Sequence, residues 1–274
     1  MADVTVTTWA GLVDALRNAT EDSTIYLEAD IDLNDVPEAR TGITEQIKCA
    51  NYKLILDGQN HEIKNLYCSS LRNPVFTGYS LGKPLTIRNI KFSNIRLDES
   101  RTGVTATTLL QNGNVTDSVI SAMTSGNSRL WGSPVGLSRC GITVIGDTGT
   151  SYTIGDNKHY FCNIVLKGYF ASVAVHLYNS YLGGDFTITG TGVNNLSFSS
   201  SYIGVVNADI YTATSSPYIY TNNAKSLLIN KDRLKDLTGE PINITEDLLS
   251  PAKDVTTEQL LSSSELQRLD FPCQ

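Results

Sequence analysis

Five aspartates in this 274-residue chain occupy positions where a carboxylate could do chemistry: Asp57, Asp147, Asp156, Asp185 and Asp209. Cleavage of a glycosidic bond needs two carboxyl groups about 5–10 Å apart in one groove. Residues on neighbouring rungs of a parallel sheet, about 4.8 Å apart, meet that distance if they share a face. Asp147 and Asp156 are the first pair to consider, because they flank a short segment with Tyr152 and have Arg139 or Lys158 as a cationic partner. Against this, Asp57 sits in Asp-Gly, Asp156 in Gly-Asp-Asn and Asp185 after Gly-Gly. There an Asp side chain completes a turn by bonding its own backbone. Asp30 and Asp32 form an Asp-x-Asp pair early in the chain, where an exposed strand face explains them. The reading is that no catalytic residue is identified; for an enzyme, Asp147 and Asp156 come first.

Other chemistries find less. His61, His159 and His176 form neither an HxxxH nor an HExxH pair, so no metal site and no cofactor are expected. His61 follows a turn, His159 lies beside Tyr160 in a polar loop, and His176 points outward by alternation. No glycine-rich phosphate loop with a following Lys-Ser/Thr occurs, and both nucleotide binding and nucleophilic serine catalysis are set aside. Tyrosine is more suggestive: of 13 in the chain, Tyr152, Tyr160, Tyr169, Tyr178, Tyr181, Tyr202, Tyr211, Tyr218 and Tyr220 crowd the second half. Such rings serve β-propensity, a subunit interface or stacking on sugars.

These residues must be held by short β-type segments. From Ser23 to Asn230, apolar alternations recur roughly every two dozen residues, broken by Gly, Asn, Asp and Ser. Asn65, Asn89 and Asn94 read as one-residue corners, and two-residue hairpin turns between long strands are scarce, which favours stacked parallel coils over a sandwich or barrel. Core landmarks include Ile55, Ile63, Ile90, Phe92, Val119, Ile120, Val144, Ile145, Ile164, Phe186 and Phe198. Thr8 caps a predicted helix whose Trp9, Leu12, Val13 and Leu16 share one face, and Ser23–Leu33 follows as strand. Thr102–Thr150, rich in Gly, Ser and Thr, is the least regular stretch and is expected to contain a long excursion from the coil. After Asn230 short helical turns are expected at Lys231–Leu237, Thr245–Leu249, Thr256–Leu261 and Ser264–Leu269. The organisation is thus a cap with the first coil (1–42), a parallel β-helix (43–230) and a helical appendage (231–274).

Bulk numbers set bounds. With 41% hydrophobic residues and only 18% charged, the chain has a core to bury and uncharged polar loops. A net charge of −7 with no Lys/Arg run argues against nucleic acid. No signal peptide and no apolar span are visible. The five cysteines, Cys49, Cys68, Cys140, Cys162 and Cys273, fall at unpatterned spacings and read as reduced thiols, four in or near the core.

The segments Trp9–Leu16, Ile25–Asn34 and Leu54–Leu66 together resemble the opening of right-handed parallel β-helix proteins of the pectin-lyase-like superfamily. Residues 239–248 and 266–272 are similar to the C-termini of β-helix proteins in phages and prophages of gut Firmicutes. The resemblance implies an all-β, right-handed parallel β-helix and a non-enzymatic virion structural protein, a head or tail fibre or decoration subunit made in the host cytoplasm. It implies other virion proteins, sister copies in a homotrimer and host or mucosal glycans as partners, with residues 231–274 docking or trimerising. The superfamily also contains pectate lyases with acidic calcium ligands on successive coils and an Arg or Lys base. A polysaccharide lyase or hydrolase and a bacterial surface adhesin are therefore the alternatives.

Overall fold

The computed structural model describes residues 2–68, 73–99, 107–147, 149–153, 159–192, 195–200, 204–213, 218–221, 227–242 and 253–255. Among these residues the chain is all-β apart from one helix and short 3-10 turns, and none of its helices is long and apolar enough to cross a membrane. Its strands form three sheets in which the strands pair in parallel with strands of neighbouring coils. The first sheet runs from Ala2–Val6 through Ser23–Leu27, Leu54–Asp57, Leu85–Arg88 and Gly113–Thr116 to Tyr218–Thr221. The second runs from Ile31–Asp32 through Lys91–Glu99, Val119–Gly126, Gly141–Gly146, Asn163–Phe170, Ser180–Ile188 and Gly204–Thr212 to Lys253–Val255. A third, shorter sheet holds Ile47–Lys48, Phe76–Thr77, Thr108–Gln111 and Arg129–Trp131.

Register turns the alternation of the sequence into ladders. Ile25, Leu56, Ile87, Val115 and Leu137 stack rung on rung in the first sheet, none more than 1% exposed. In the second sheet Ile63, Phe92, Ile120, Ile142, Ile164, Leu182, Val206 and Ile229 do the same. Burying each such side chain contributes roughly 1.5–3 kcal/mol. At the N-terminal end the helix Trp9–Arg17 packs Trp9, Leu12 and Leu16 into the core, and Thr8 Oγ1 accepts from the Gly11 amide (3.1 Å) as its cap.

The corner between the first and second sheets is a single residue in the left-handed region: Asn89, Asp117, Arg139, Phe161 and Asn179 have φ of 48–54°. Asn adopts this region easily and the bulkier residues do so at a cost. The residue that follows turns inward, so Ser118, Cys140, Cys162 and Ser180 are buried at the same corner of successive coils. Ser118 Oγ accepts from the Ile90 amide (3.3 Å) and Ser180 Oγ from the Cys162 amide (2.9 Å), which satisfies corner amides inside the core. Cys49 and Cys68 are also buried, as expected for reduced core thiols, and burial pushes the Cys49 thiol up to about 12. Cys273 lies outside the described residues.

Coil length varies along the stack. Leu54 lies beside Leu85, 31 residues on; Gly113 lies beside Val135, 22 on; Asn163 lies beside Tyr181, 18 on. The third sheet does not run the whole stack: after Arg129–Trp131 it gives way to Ser151–Thr153, which pairs within the first sheet against Ser172–Tyr178. The narrower half is filled by large rings, with Phe170 and Phe186 edge to face at 6.0 Å.

Four expectations need correction. The described residues of Thr102–Thr150 hold no excursion but two coils in register, while 102–106 and 148 lie outside the described residues. Ser23–Leu33 is two strands, Ser23–Leu27 and Ile31–Asp32, in different sheets. Lys231–Leu237 is not a helix: one 3-10 turn, Lys231–Arg233, leads into the strand Leu234–Asp236, paired with Gly204–Thr212. Sheet pairing wins there because it buries Leu234, while Leu237 stays 56% exposed. Pairing also continues across the expected boundary after residue 230, as Lys253–Val255 adds to Leu227–Asn230. The helical turns expected at 245–249, 256–261 and 264–269 lie outside the described residues.

Candidate functional site

Side chains that face outward from the two long sheets form columns along the stack, and these columns are where the candidates lie. Asp57 is buried at the corner between Leu54–Asp57 and Glu62–Lys64. Its Oδ1 accepts from the Gln59 amide (3.1 Å) and Asn89 Nδ2 (3.2 Å), and Oδ2 takes Arg88 Nε at 2.8 Å. Burial raises its pKa, but these hydrogen bonds together outweigh burial and hold the carboxyl below its ordinary value. At the equivalent corner two coils on, Arg139 grips Asp117 with both arms, Nε to Oδ1 at 2.5 Å and a second nitrogen to Oδ2 at 2.6 Å. That guanidinium holds the Asp117 carboxyl low.

Arg139 is therefore not a partner of Asp147. The strand Gly141–Gly146 separates them, about 20 Å of extended chain. Asp147 is exposed just past that strand, its amide bonded to Thr124 O (2.9 Å) and its carbonyl accepting from Thr150 (3.2 Å). Asp156 and Lys158 lie outside the described residues. Tyr152, which the pair was expected to flank, is buried, and burial drives its phenol pKa up.

Register does bring together Asp185 and Asp209, which face each other on adjacent rungs of the second sheet. Lys167 lies one rung before Asp185. Arg233 donates to both Asp209 oxygens, with Nε–Oδ1 at 2.9 Å, and to Asn207 Oδ1 (3.1 Å). That contact holds the Asp209 carboxyl low, with Lys235 adding to it. The acids of the early Asp-x-Asp pair are also engaged, Asp30 with His61 Nδ1 (3.0 Å) and Asp32 with Asn65 Nδ2 (2.7 Å). No group of three or more His, Cys, Asp or Glu among the described residues is placed to hold a metal ion.

The histidines divide. His176 stacks on Tyr178 (4.5 Å between centroids) and meets Ser199 Oγ at 2.7 Å. His159 is in a strand, not a loop, at the register position between Leu137 and Leu177. One pattern passed over in the sequence is Gly78-Tyr79-Ser80-Leu81-Gly82, which has the spacing of a nucleophile elbow. Here Ser80 sits in a tight turn closed by backbone bonds to Lys83 (3.1 and 3.4 Å), without the strand-to-helix bend that would present its hydroxyl.

The tyrosines separate into two surfaces. Tyr160 and Tyr178 stack at 4.7 Å on the first sheet beside the exposed Phe161. Tyr169, Tyr181 and Tyr211 face out from the second, with Lys235 over the Tyr211 ring at 5.9 Å. Tyr202 and the side chains of Tyr218 and Tyr220 lie outside the described residues.

What the sequence reading missed is an apolar strip. Val119 and Ile145, taken as core, are 43% and 40% exposed, and Met123 is 42% exposed beside Ile145 on the next rung. The signal was present: Val119-Ile120 and Val144-Ile145 are consecutive apolar pairs, and in a strand only one of two neighbours can face the core.

Residues 3–130 match the family described as a pectate lyase-like adhesive domain. The match covers just under half of the chain and ends within the third sheet's last strand, Arg129–Trp131. Together with the parallel sheets it fits a pectin-lyase-like β-helix. No curated protein and no solved structure matches the chain.

Proposed function

We propose that this chain is a non-catalytic adhesive β-helix, wound right-handed, that binds surface glycans through the outer face of its second sheet. The observation that carries this is the exposed pair Met123 and Ile145 on adjacent rungs, with Val119 exposed on the same strand as Met123 and with Tyr169 and Tyr181 facing out from the strands that follow. Sugar rings offer apolar C–H faces, and apolar and aromatic side chains spread over one sheet face meet several rings of one chain. The carboxylates support the same reading. Glycoside cleavage needs an acid whose pKa is raised, whereas Asp57, Asp117 and Asp209 are each paired with an arginine and held low. The adhesive character of the family matched by residues 3–130 points the same way.

The test is binding to immobilised mucin glycans by the full chain and by the double variant M123K/I145K. The reading expects binding to fall about tenfold or more with the melting temperature unchanged, because both side chains are on the surface. Unaltered binding, or release of unsaturated uronides or new reducing ends from polysaccharide, overturns it. We place the adhesin on a phage particle as a head or tail fibre subunit, with residues 231–274 as its docking or trimerising end. That setting rests on the tail resemblance, and absence of the chain from purified particles removes it.

A further inference from the structure

The first sheet ends on Ala2–Val6, which among the described residues pairs on one side only, with Ser23–Leu27. Two bonds fix which backbone groups are used: Ala2 N donates to Asp22 O (2.9 Å), and Val6 O accepts from Glu28 N (3.0 Å). In a parallel ladder the residues that bond a given neighbour alternate. Ala2, Val4 and Val6 therefore commit both backbone groups to Ser23–Leu27. The N–H and C=O of Asp3 and Thr5 point the other way, off the end of the sheet, and both residues are exposed. Such an edge is a template for a further strand.

A groove runs beside the edge, between Val4 and Thr5 on the strand and Gly11, Asp14, Ala15 and Asn18 on the helix. The helix also decides what fits. With Trp9, Leu12 and Leu16 plugged into the core end, it occupies the space a whole further coil would need, so a second stack cannot dock flat. The space left beside the edge is one strand wide. Its surroundings are acidic: Asp3, Asp14 and Glu21 are exposed. The helix's single basic residue, Arg17, is turned to Gln46 O (2.8 Å) and Glu45 (3.5 Å).

We infer that the Ala2–Val6 edge and the adjoining helix groove accept one extended basic segment of a partner protein as an added strand. Its backbone bonds Asp3 and Thr5, its alternate apolar side chains extend the Val4 column, and its basic side chains lie beside Asp3. The inference stands apart from the glycan reading, which concerns the second sheet.

The test uses the full chain and a fluorescein-labelled heptapeptide alternating valine and lysine, read by anisotropy and by amide exchange. Thr5→Pro removes only the outward N–H, and proline is tolerated on an edge strand. The alternating peptide is expected to slow exchange at Asp3 and Thr5, and Thr5→Pro to weaken it about tenfold with an unchanged melting temperature. If Thr5→Pro melts early, Ala15→Leu fills the groove from the helix side and is expected to weaken binding equally. A block peptide of the same composition binding as tightly as the alternating one would reduce the effect to charge attraction and overturn the inference. So would self-association of the chain that Thr5→Pro abolishes, which would assign the edge to a second copy.

Discussion

Replacing Asp57 asks whether the acids of this fold serve the coil corner. In Asp57→Ala the Gln59 amide and Asn89 Nδ2 lose an acceptor in a site where the Asp57 side chain is only 9% exposed. Each loss costs about 1 kcal/mol. Arg88 is 40% exposed and regains water, so losing its partner adds about 0.5–1 kcal/mol. The expected destabilisation is about 3 kcal/mol for Ala and about 1 kcal/mol for Asp57→Asn, which keeps the shape without the charge. Acidity separates the two further. The folded-state pKa lies below the ordinary value of 3.8, so the carboxylate adds stability that is fully present above that pH. The contribution disappears as pH falls through the lower, folded value. The gap between wild type and Asp57→Asn is therefore full at neutral pH and closes only well into the acid range. Urea titrations followed by circular dichroism at neutral and acid pH measure both effects. An Ala variant within about 0.5 kcal/mol of wild type, or a gap that widens on acidification, would refute the reasoning.

Two further substitutions probe the backbone. Gly184 has φ of 115°, and an added Cβ would lie 1.9 Å from Leu166 O, so Gly184→Ala must push two paired strands apart. A loss of about 3 kcal/mol is expected in the same titration. Phe161 holds φ of 54° with its ring 46% exposed, so Phe161→Asn is expected to raise stability by about 0.5–1 kcal/mol, seen as a higher melting temperature.

The parts of the fold legible beforehand were those where local chemistry and global pairing agree. Thr8 and the Trp9, Leu12, Leu16 stripe specify a helix in any context. Asn65 and Asn94, expected as corners, are instead left-handed breaks within the second sheet, whereas Asn89 marks a left-handed corner between sheets because Asn tolerates it. The same corner carries Arg139 and Phe161 later on, where tertiary register imposes what propensity opposes. Ala2–Val6 escaped notice although its apolar–polar alternation is regular, because it is only five residues long and its partner lies 21 residues away. Leu234 and Leu237 at helical spacing suggested a helix, but a growing sheet edge offers more burial than one turn. As for the site, Asp185 and Asp209 were individually visible. Their meeting across one rung was not, because it depends on coil length, which no local motif encodes.

The unequal length of the coils has a consequence for how such a chain can change. Between a rung of 31 residues and one of 18 the two long sheets keep their ladders, so the difference is taken up on the third side, between the end of the second sheet's strand and the next strand of the first. That side can gain or lose residues while every column on the other two stays aligned. A foreign loop grafted between the second and third sheets should leave the rest in step, whereas one added residue at Asp117 would turn the side chains of Val119–Gly126 to the opposite face. The molecule thus has one elastic side and two that keep count.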